Sequence, residues 1–291
     1  FYTGTVAKAL AADLAATGSP LTLQDFATYS ATLTQPLQTN IKGCTLYNTP
    51  PPTQGVASLA ILKLFDTLEA PHAESFAHVH GLVEATKQAF LYRNAHVGDP
   101  AFMTECAQSF LNDTKRITQL ANSIDMQKAL PWPAPSQQGD TTWMGAIDAS
   151  GVAVSMIQSL YFEFGSGVFL PQTGVIWQNR GSSFQLAETG WNALKPGRKP
   201  FHTLNPALAR FHDGRTMVYG TMGGEGQPQT QAALFSRYAR YGTPLQQAVT
   251  APRWLLGRTW GTGHAGAIVR HQTGVLEGAS DPRSDGCVAA F

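Results

Sequence analysis

The 291 residues carry a net charge of +1, with 43% hydrophobic and 13% charged positions. Such a chain has material for a large packed core, which excludes a disordered or fibrous polymer. A charge so near zero, with no run of five like charges, excludes bulk attraction to nucleic acid or acidic membranes.

In chain order, Val6 to Thr17 is alanine-rich with helical spacing, and Leu23 to Tyr29 reads as a short helix opened by Thr22 and Asp25. Pro50-Pro51-Pro52 removes backbone donors and Gly55 ends that stretch, so a helix is expected from Val56 to Leu68. Ser75 to Arg93 carries Phe76, Val79, Val83 and Phe90 on a helical stripe, closed by Gly98-Asp99-Pro100. His78 and His80 are two positions apart and face different sides of that helix, which argues against a shared metal. Residues 130–140 form a proline-rich linker before an abrupt change to strand pattern. Thr142 to Asp148 and Val152 to Leu160 then read as a hairpin, and Asn205 to Tyr219 as a second hairpin turning at Asp213-Gly214. A glycine-rich loop and a helix from Gln229 to Arg240 follow, and no solenoid repeat is visible.

The odd, widely spaced Cys44, Cys106 and Cys287 predict buried free thiols rather than a disulfide framework or a zinc site. The longest apolar run, Gly55 to Phe65, is interrupted by Lys63 and far shorter than the about 20 residues that span a bilayer. The chain begins Phe1-Tyr2-Thr3-Gly4 with neither an initiator methionine nor a leader, and is expected to be a piece of a longer product. A cytoplasmic location is expected, with the periplasm left open.

Thr141 is the candidate nucleophile, because the linker delivers it to the first position of a strand. A threonine hydroxyl is weakly nucleophilic at neutral pH. Breaking the Asp140-Thr141 bond would place a new α-amine, titrating near pH ~7.7–8.0, beside that hydroxyl as its base. Thr142 competes for the role through its own hydroxyl. The loop Gly220-Thr221-Met222-Gly223-Gly224-Glu225-Gly226 either turns the chain tightly or presents backbone N–H groups to a ligand. It lacks a nucleotide fingerprint, and no cofactor or metal is expected.

These features together resemble the γ-glutamyltranspeptidase family of N-terminal-nucleophile hydrolases over nearly the whole chain. The resemblance rests on Phe1-Tyr2-Thr3-Gly4, Leu21-Thr22 with Asp25, Pro50-Pro51-Pro52, Arg93 to Pro100, Thr141-Thr142, Phe164-Gly165-Ser166-Gly167, Gly223-Gly224, Pro252-Arg253 and Gly278 to Arg283. It implies an α+β fold, a four-layer αββα sandwich, made as a precursor that cleaves itself before Thr141. Residues 1–140 would belong to the large subunit and 141–291 to the small one. The beginning of the large subunit, and a helix and strand at residues 261/262, are expected to be missing. By the same resemblance Thr141 is the nucleophile, Gly223 and Gly224 form the oxyanion hole, and Ser159 supplies a second hydroxyl that orients Thr141 or is satisfied within its strand.

The residues that would grip a glutamyl group depart from the family pattern. Tyr161 stands for asparagine, Arg180 for an acidic or amide residue, Ser183 for aspartate and His202-Thr203 for paired serines, while Asn179 is kept. Losing the aspartate and gaining Arg180 favours an anionic acyl group without an amine. Gly174 to Gly181, Lys199 to Pro206 and Tyr219 to Pro228 are similar to the branch of the family that hydrolyses oxamate to oxalate and ammonia in purine and allantoin catabolism. Arg180 then acts as carboxylate clamp or in a structural salt bridge, and His202 donates to the same carboxylate or packs. The partners implied are a small amide substrate and the two subunits of one precursor, with a homo-oligomer left open. The alternatives are a γ-glutamyl hydrolase or transpeptidase, a cephalosporin-type acylase, and an uncut binding homologue without activity.

Overall fold

The computed structural model describes residues 1–132, 140–257 and 263–290, and of Asp140 only the backbone. Most of the linker, and the expected break at 261/262, lie outside the described residues. The first elements are helices α1 (Thr5–Ala16) and α2 (Leu23–Thr28). Ala7, Leu10 and Leu14 form the buried stripe of α1, and a capping box of Thr22 and Asp25 opens α2.

Strands β1 (Leu37–Ile41) and β2 (Cys44–Asn48) form a tight hairpin that was not among the expected elements. Its signal was the alternation of Leu37 and Thr39, then Cys44, Leu46 and Asn48, as inward positions. Helix α3 (Gly55–Asp66) is buried on almost every side, and α4 (Phe76–His96) packs along it, capped by the Ser75 hydroxyl. The latter runs three residues beyond the expected Arg93. Two short helices, α5 (Ala107–Asn112) and α6 (Thr114–Asn122), complete the first half.

The second half opens with the expected hairpin, β3 (Asp140–Ile147) and β4 (Ala153–Tyr161), and a small one of β5 (Phe169–Leu170) and β6 (Val175–Ile176). Strands β7 (Ala207–Phe211) and β8 (Thr216–Thr221) form the next hairpin and lead through the glycine loop into α7 (Gln227–Phe235). That helix continues as a π-helical turn over Ser236–Arg240, so the helix expected to Arg240 is present with its last turn widened. Helix α8 (Leu245–Thr250) and strands β9 (Ala265–Arg270) and β10 (Leu276–Ser280) end the chain.

Among the described residues, six strands form an antiparallel sheet in the order β1-β2-β7-β8-β9-β10. One face carries Leu46, Ala209, Met217, Tyr219, Ala267 and Val269 into a single core with α3, α4, α7 and α8. The β3–β4 hairpin lies on the opposite face, against β8 and β9. A smaller cluster packs Ala7, Leu10, Leu14 and Phe26 on Leu170, and Asp13 accepts hydrogen bonds from the backbone and side chain of Gln172. Helix and sheet are mixed as an α+β chain requires.

His78 is buried in α4, where its Nε2 bonds the Ser236 hydroxyl at 2.9 Å, whereas His80 Nε2 meets the Asp125 carbonyl at 2.8 Å. Of the cysteines only Cys44 is buried, which corrects the expectation for the other two. Cys106 lies in the turn that opens α5 and Cys287 in the irregular stretch after β10, so neither is on an inward-facing position. No helix of the described residues is long and apolar enough to cross a membrane.

Burial pushes the His78 ring down to about 4. The folded state therefore resists a proton that the unfolded chain accepts below about pH 6.5, and stability falls as pH drops through that window. Urea unfolding at pH 7, 6 and 5 is expected to show this loss, with a shallower slope for His78→Gln. Equal slopes would show that His78 titrates alike in both states.

Candidate active site

Alternation along β3 turns Thr141, Trp143, Gly145 and Ile147 toward the large sheet and leaves Thr142, Met144 and Ala146 exposed. The two candidate hydroxyls therefore lie on opposite faces, and the buried one is Thr141. Register fixes its surroundings further. Asp140 pairs with Tyr161 and Thr142 with Gln158, so Thr141 opposes both Ser159 and Leu160 in a bulge. Bulges of this kind re-aim a side chain. The Thr141 hydroxyl donates to Ser159 Oγ at 3.2 Å, and the same oxygen accepts from the Tyr161 backbone at 2.9 Å.

Trp143 holds the strand in place. A Cβ at Gly220 would stand 1.9 Å from the indole and one at Gly266 2.6 Å, so only glycine at these positions lets the ring lie on the backbones of β8 and β9. The indole N–H donates to Ser155 Oγ at 2.9 Å, which ties β4 to the same seat.

Strand β8 runs directly into the glycine loop, whose start is pinned by Met222 N donating to His264 O at 2.9 Å. Gly223 adopts φ +115°, a region that L side chains rarely enter, and its carbonyl accepts from Gly226 N at 2.9 Å. The opposite edge of that peptide, the Gly224 N–H, points away from this bond because the peptide is planar and trans.

At the far end of β4, Tyr161 is held at φ +82°, a conformation that costs a non-glycine residue about 1–3 kcal/mol. Arg180 lies over its ring, 3.6 Å from the centroid, and its Nη2 donates to Thr203 Oγ1 at 2.9 Å. The guanidinium is buried, and among the described residues its Nε and Nη1 have no hydrogen-bond partner. Burial lowers the Arg180 pKa to about 10, which leaves it charged at neutral pH. His202 anchors its backbone N–H on Pro52 O at 2.8 Å, and its Nδ1 accepts from Leu204 N at 3.3 Å. That bond assigns the ring proton to Nε2. Burial first, and then Arg180, push the His202 pKa down to about 3, so the ring is a neutral donor. Asn179 accepts from Phe162 N through Oδ1 at 3.1 Å, and Ser183 donates to Phe201 O at 2.9 Å. Asn179 thereby braces the chain just past the end of β4, and Ser183 the irregular segment that carries Phe201.

Sequence reading assigned no role to Gln54, Arg93 or Glu225, which join the loop to the arginine. Gln54 bridges the Thr203 and Gly224 carbonyls through Nε2 and accepts from Arg93 through Oε1. Arg93 also pairs with Glu225 at 3.2 Å. The available signals were weak: a glutamine soon after the proline run and an arginine in the last turn of a helix. Elsewhere, the Pro252-Arg253 and Asp281-Pro282-Arg283 motifs meet in a fully buried pair of Arg253 and Asp281. Cavities of about 400 Å³ beside Arg240 and about 690 Å³ along β2 and β4 are lined by none of the residues expected to carry chemistry.

Beyond its geometry, the chain matches the gamma-glutamyltranspeptidase family over residues 1–262 and belongs to that family. The oxamate amidohydrolase proenzyme of Klebsiella pneumoniae is 49% identical over 327 residues, covering 100% of this chain and 62% of that protein. The glutathione hydrolase-like YwrD proenzyme of Bacillus subtilis is 38% identical over 329 residues, with 100% and 62% covered. Among solved structures, a cephalosporin acylase from Bacillus halodurans matches with a TM-score of 0.89 at 30% identity, covering 100% of this chain and 59% of that one. The chain thus spans less than two thirds of the length of each of these proteins.

Because a methyl group at Gly220 would overlap Trp143, Gly220→Ala is expected to cost about 1–3 kcal/mol and to loosen the strand that carries Thr141. Thermal unfolding checks it. An unchanged melting temperature would show that the indole is free to move aside.

Proposed function

We propose that this protein is an N-terminal threonine amidohydrolase of small anionic amides, and that oxamate is its substrate. Arg180 carries the proposal: a buried cation with two undirected donors, set on an aromatic face and steadied by Thr203, fits a carboxylate. His202 adds a neutral Nε2 donor, and the 49% identical relative is named for the same substrate. The whole protein completes a four-layer αββα sandwich, with residues 1–140 in the large subunit and 141–291 in the small one. The relatives named as proenzymes support a precursor. The alignment of 327 positions, longer than the 291 residues of this chain, supports a stretch present in the relative and absent here.

Processing begins when the Thr141 hydroxyl attacks the Asp140 carbonyl carbon, and the acyl group passes from nitrogen to oxygen. Water hydrolyses that ester, leaving a carboxylate on Asp140 and an α-amine on Thr141. Since Asp140 pairs with Tyr161 in the uncut chain, release of its strand end also frees the backbone partner of the residue on whose ring Arg180 lies.

In turnover the α-amine takes the Thr141 hydroxyl proton as the oxygen adds to the amide carbon. Backbone N–H groups of Gly223 and Gly224 receive the oxyanion, and Ser159 orients the attacking hydroxyl. The ammonium returns its proton to the departing nitrogen, which leaves as ammonia. Water, deprotonated by the same amine, then cleaves the ester and frees oxalate. Arg180, His202 and Thr203 hold the substrate carboxylate throughout, with Tyr161 and Asn179 shaping that end of the site.

Thr141→Ala in the full-length protein is expected to yield a single uncut, inactive chain on a denaturing gel, and two native-sized products would refute the assignment. Arg180→Ala is expected to raise KM for oxamate about 10- to 100-fold, the worth of hydrogen bonds to a charged group. An unchanged KM would remove Arg180 from the site.

A further inference from the structure

Gln54 is fully buried at the entrance to α3, and its amide joins three separate segments. Oε1 accepts from Arg93 Nη1 at 2.8 Å, while Nε2 donates to Thr203 O at 2.8 Å and to Gly224 O at 2.9 Å. Chemistry forces this orientation. Exchanging oxygen and nitrogen would set an N–H against the guanidinium and an oxygen against two carbonyls. Arg93 in turn stacks on Phe90 with its Cζ 3.8 Å from the ring centroid and pairs with Glu225, so the strut is braced through its oxygen by a residue that also holds the glycine loop one position after Gly224.

The two residues that Gln54 grips belong to the two halves of the proposed site. Thr203 is held at both ends, its carbonyl by Gln54 and its hydroxyl by Arg180. Gly224 is held by its carbonyl, which fixes the peptide following the N–H that would receive the oxyanion. We propose that Gln54 is a positioning residue that sets the spacing between the oxyanion loop and the Arg180 clamp. It thereby selects acids whose carboxylate adjoins the scissile amide. The inference rests on the roles of Thr141 and Arg180 given above. A short, rigid link of one amide, buried from water, gives such a site little freedom to accept a longer acid.

The test uses full-length, processed protein carrying Gln54→Met, which keeps the volume and loses the donors, or Gln54→Glu, which keeps an acceptor for Arg93 and repels both carbonyls. Each is assayed on oxamate and on malonamate, one carbon longer, with kcat and KM separated and with gel processing and melting temperature recorded. The ratio of kcat/KM for oxamate over malonamate is expected to fall by about tenfold or more, with the subunits cut as in the wild type. A merely structural role would lower both substrates alike, and an unchanged ratio in cut protein overturns the proposal. Gln54→Asn, which draws the amide back by one methylene, supplies the ratio if the other two do not accumulate. A wild type that hydrolyses neither acid refutes the functional reading and this role with it. A wild type that prefers oxamate, with the ratio unchanged in the variants, removes Gln54 alone.

Discussion

Everything at the site depends on an indole lying flat against backbone. Trp143 fits between β3 and the large sheet because Gly220 and Gly266 present no Cβ, and its N–H reaches Ser155 on the neighbouring strand. One side chain thus fixes the hairpin against β8 and β9 and locks β3 to β4. Thr141, two residues along the same face, inherits that position. The bulge opposite Ser159 and Leu160 then turns its hydroxyl onto Ser159. Strand β8, which supplies Gly220 to the indole, continues within three residues to Gly223, so one strand seats the proposed nucleophile and delivers the glycine loop.

The second constraint is electrostatic. Arg93 and Arg180 are both buried, yet the carboxylate paired with Arg93, Glu225, is partly exposed, and among the described residues Arg180 has no ion pair. Aromatic faces share the cost of desolvation, Phe90 under Arg93 and Tyr161 under Arg180. What remains is an excess of positive potential next to the strained end of β4. A buried, incompletely hydrogen-bonded cation is unfavourable in a resting fold unless something negative completes it. This is the physical ground for the acidic substrate proposed above, in preference to one carrying an ammonium.

Much of this was legible in the sequence. Strand β3 announced itself by a change from proline-rich linker to alternation, and the helices by apolar spacing at Val56 to Leu68 and Ser75 to Arg93. The family resemblance placed Arg180 and Thr203 in one site, and the structure joins them by a hydrogen bond. The hairpin Leu37–Asn48 escaped because its outward residues, Gln38, Asn40 and Thr45, are as polar as a loop. Gln54 escaped for a different reason. Its partners Thr203 and Gly224 lie 149 and 170 positions away, and no local pattern reports a contact of that range. Buried polar links are decided by tertiary packing, where periodicity carries no information.

The proposed activity requires that a backbone cut arm Thr141. It is tested most directly by mass spectrometry of the smaller chain from full-length protein purified on its activity toward oxamate. The chain expected begins at Thr141 with a free α-amine. Active protein with the Asp140-Thr141 bond intact would contradict it.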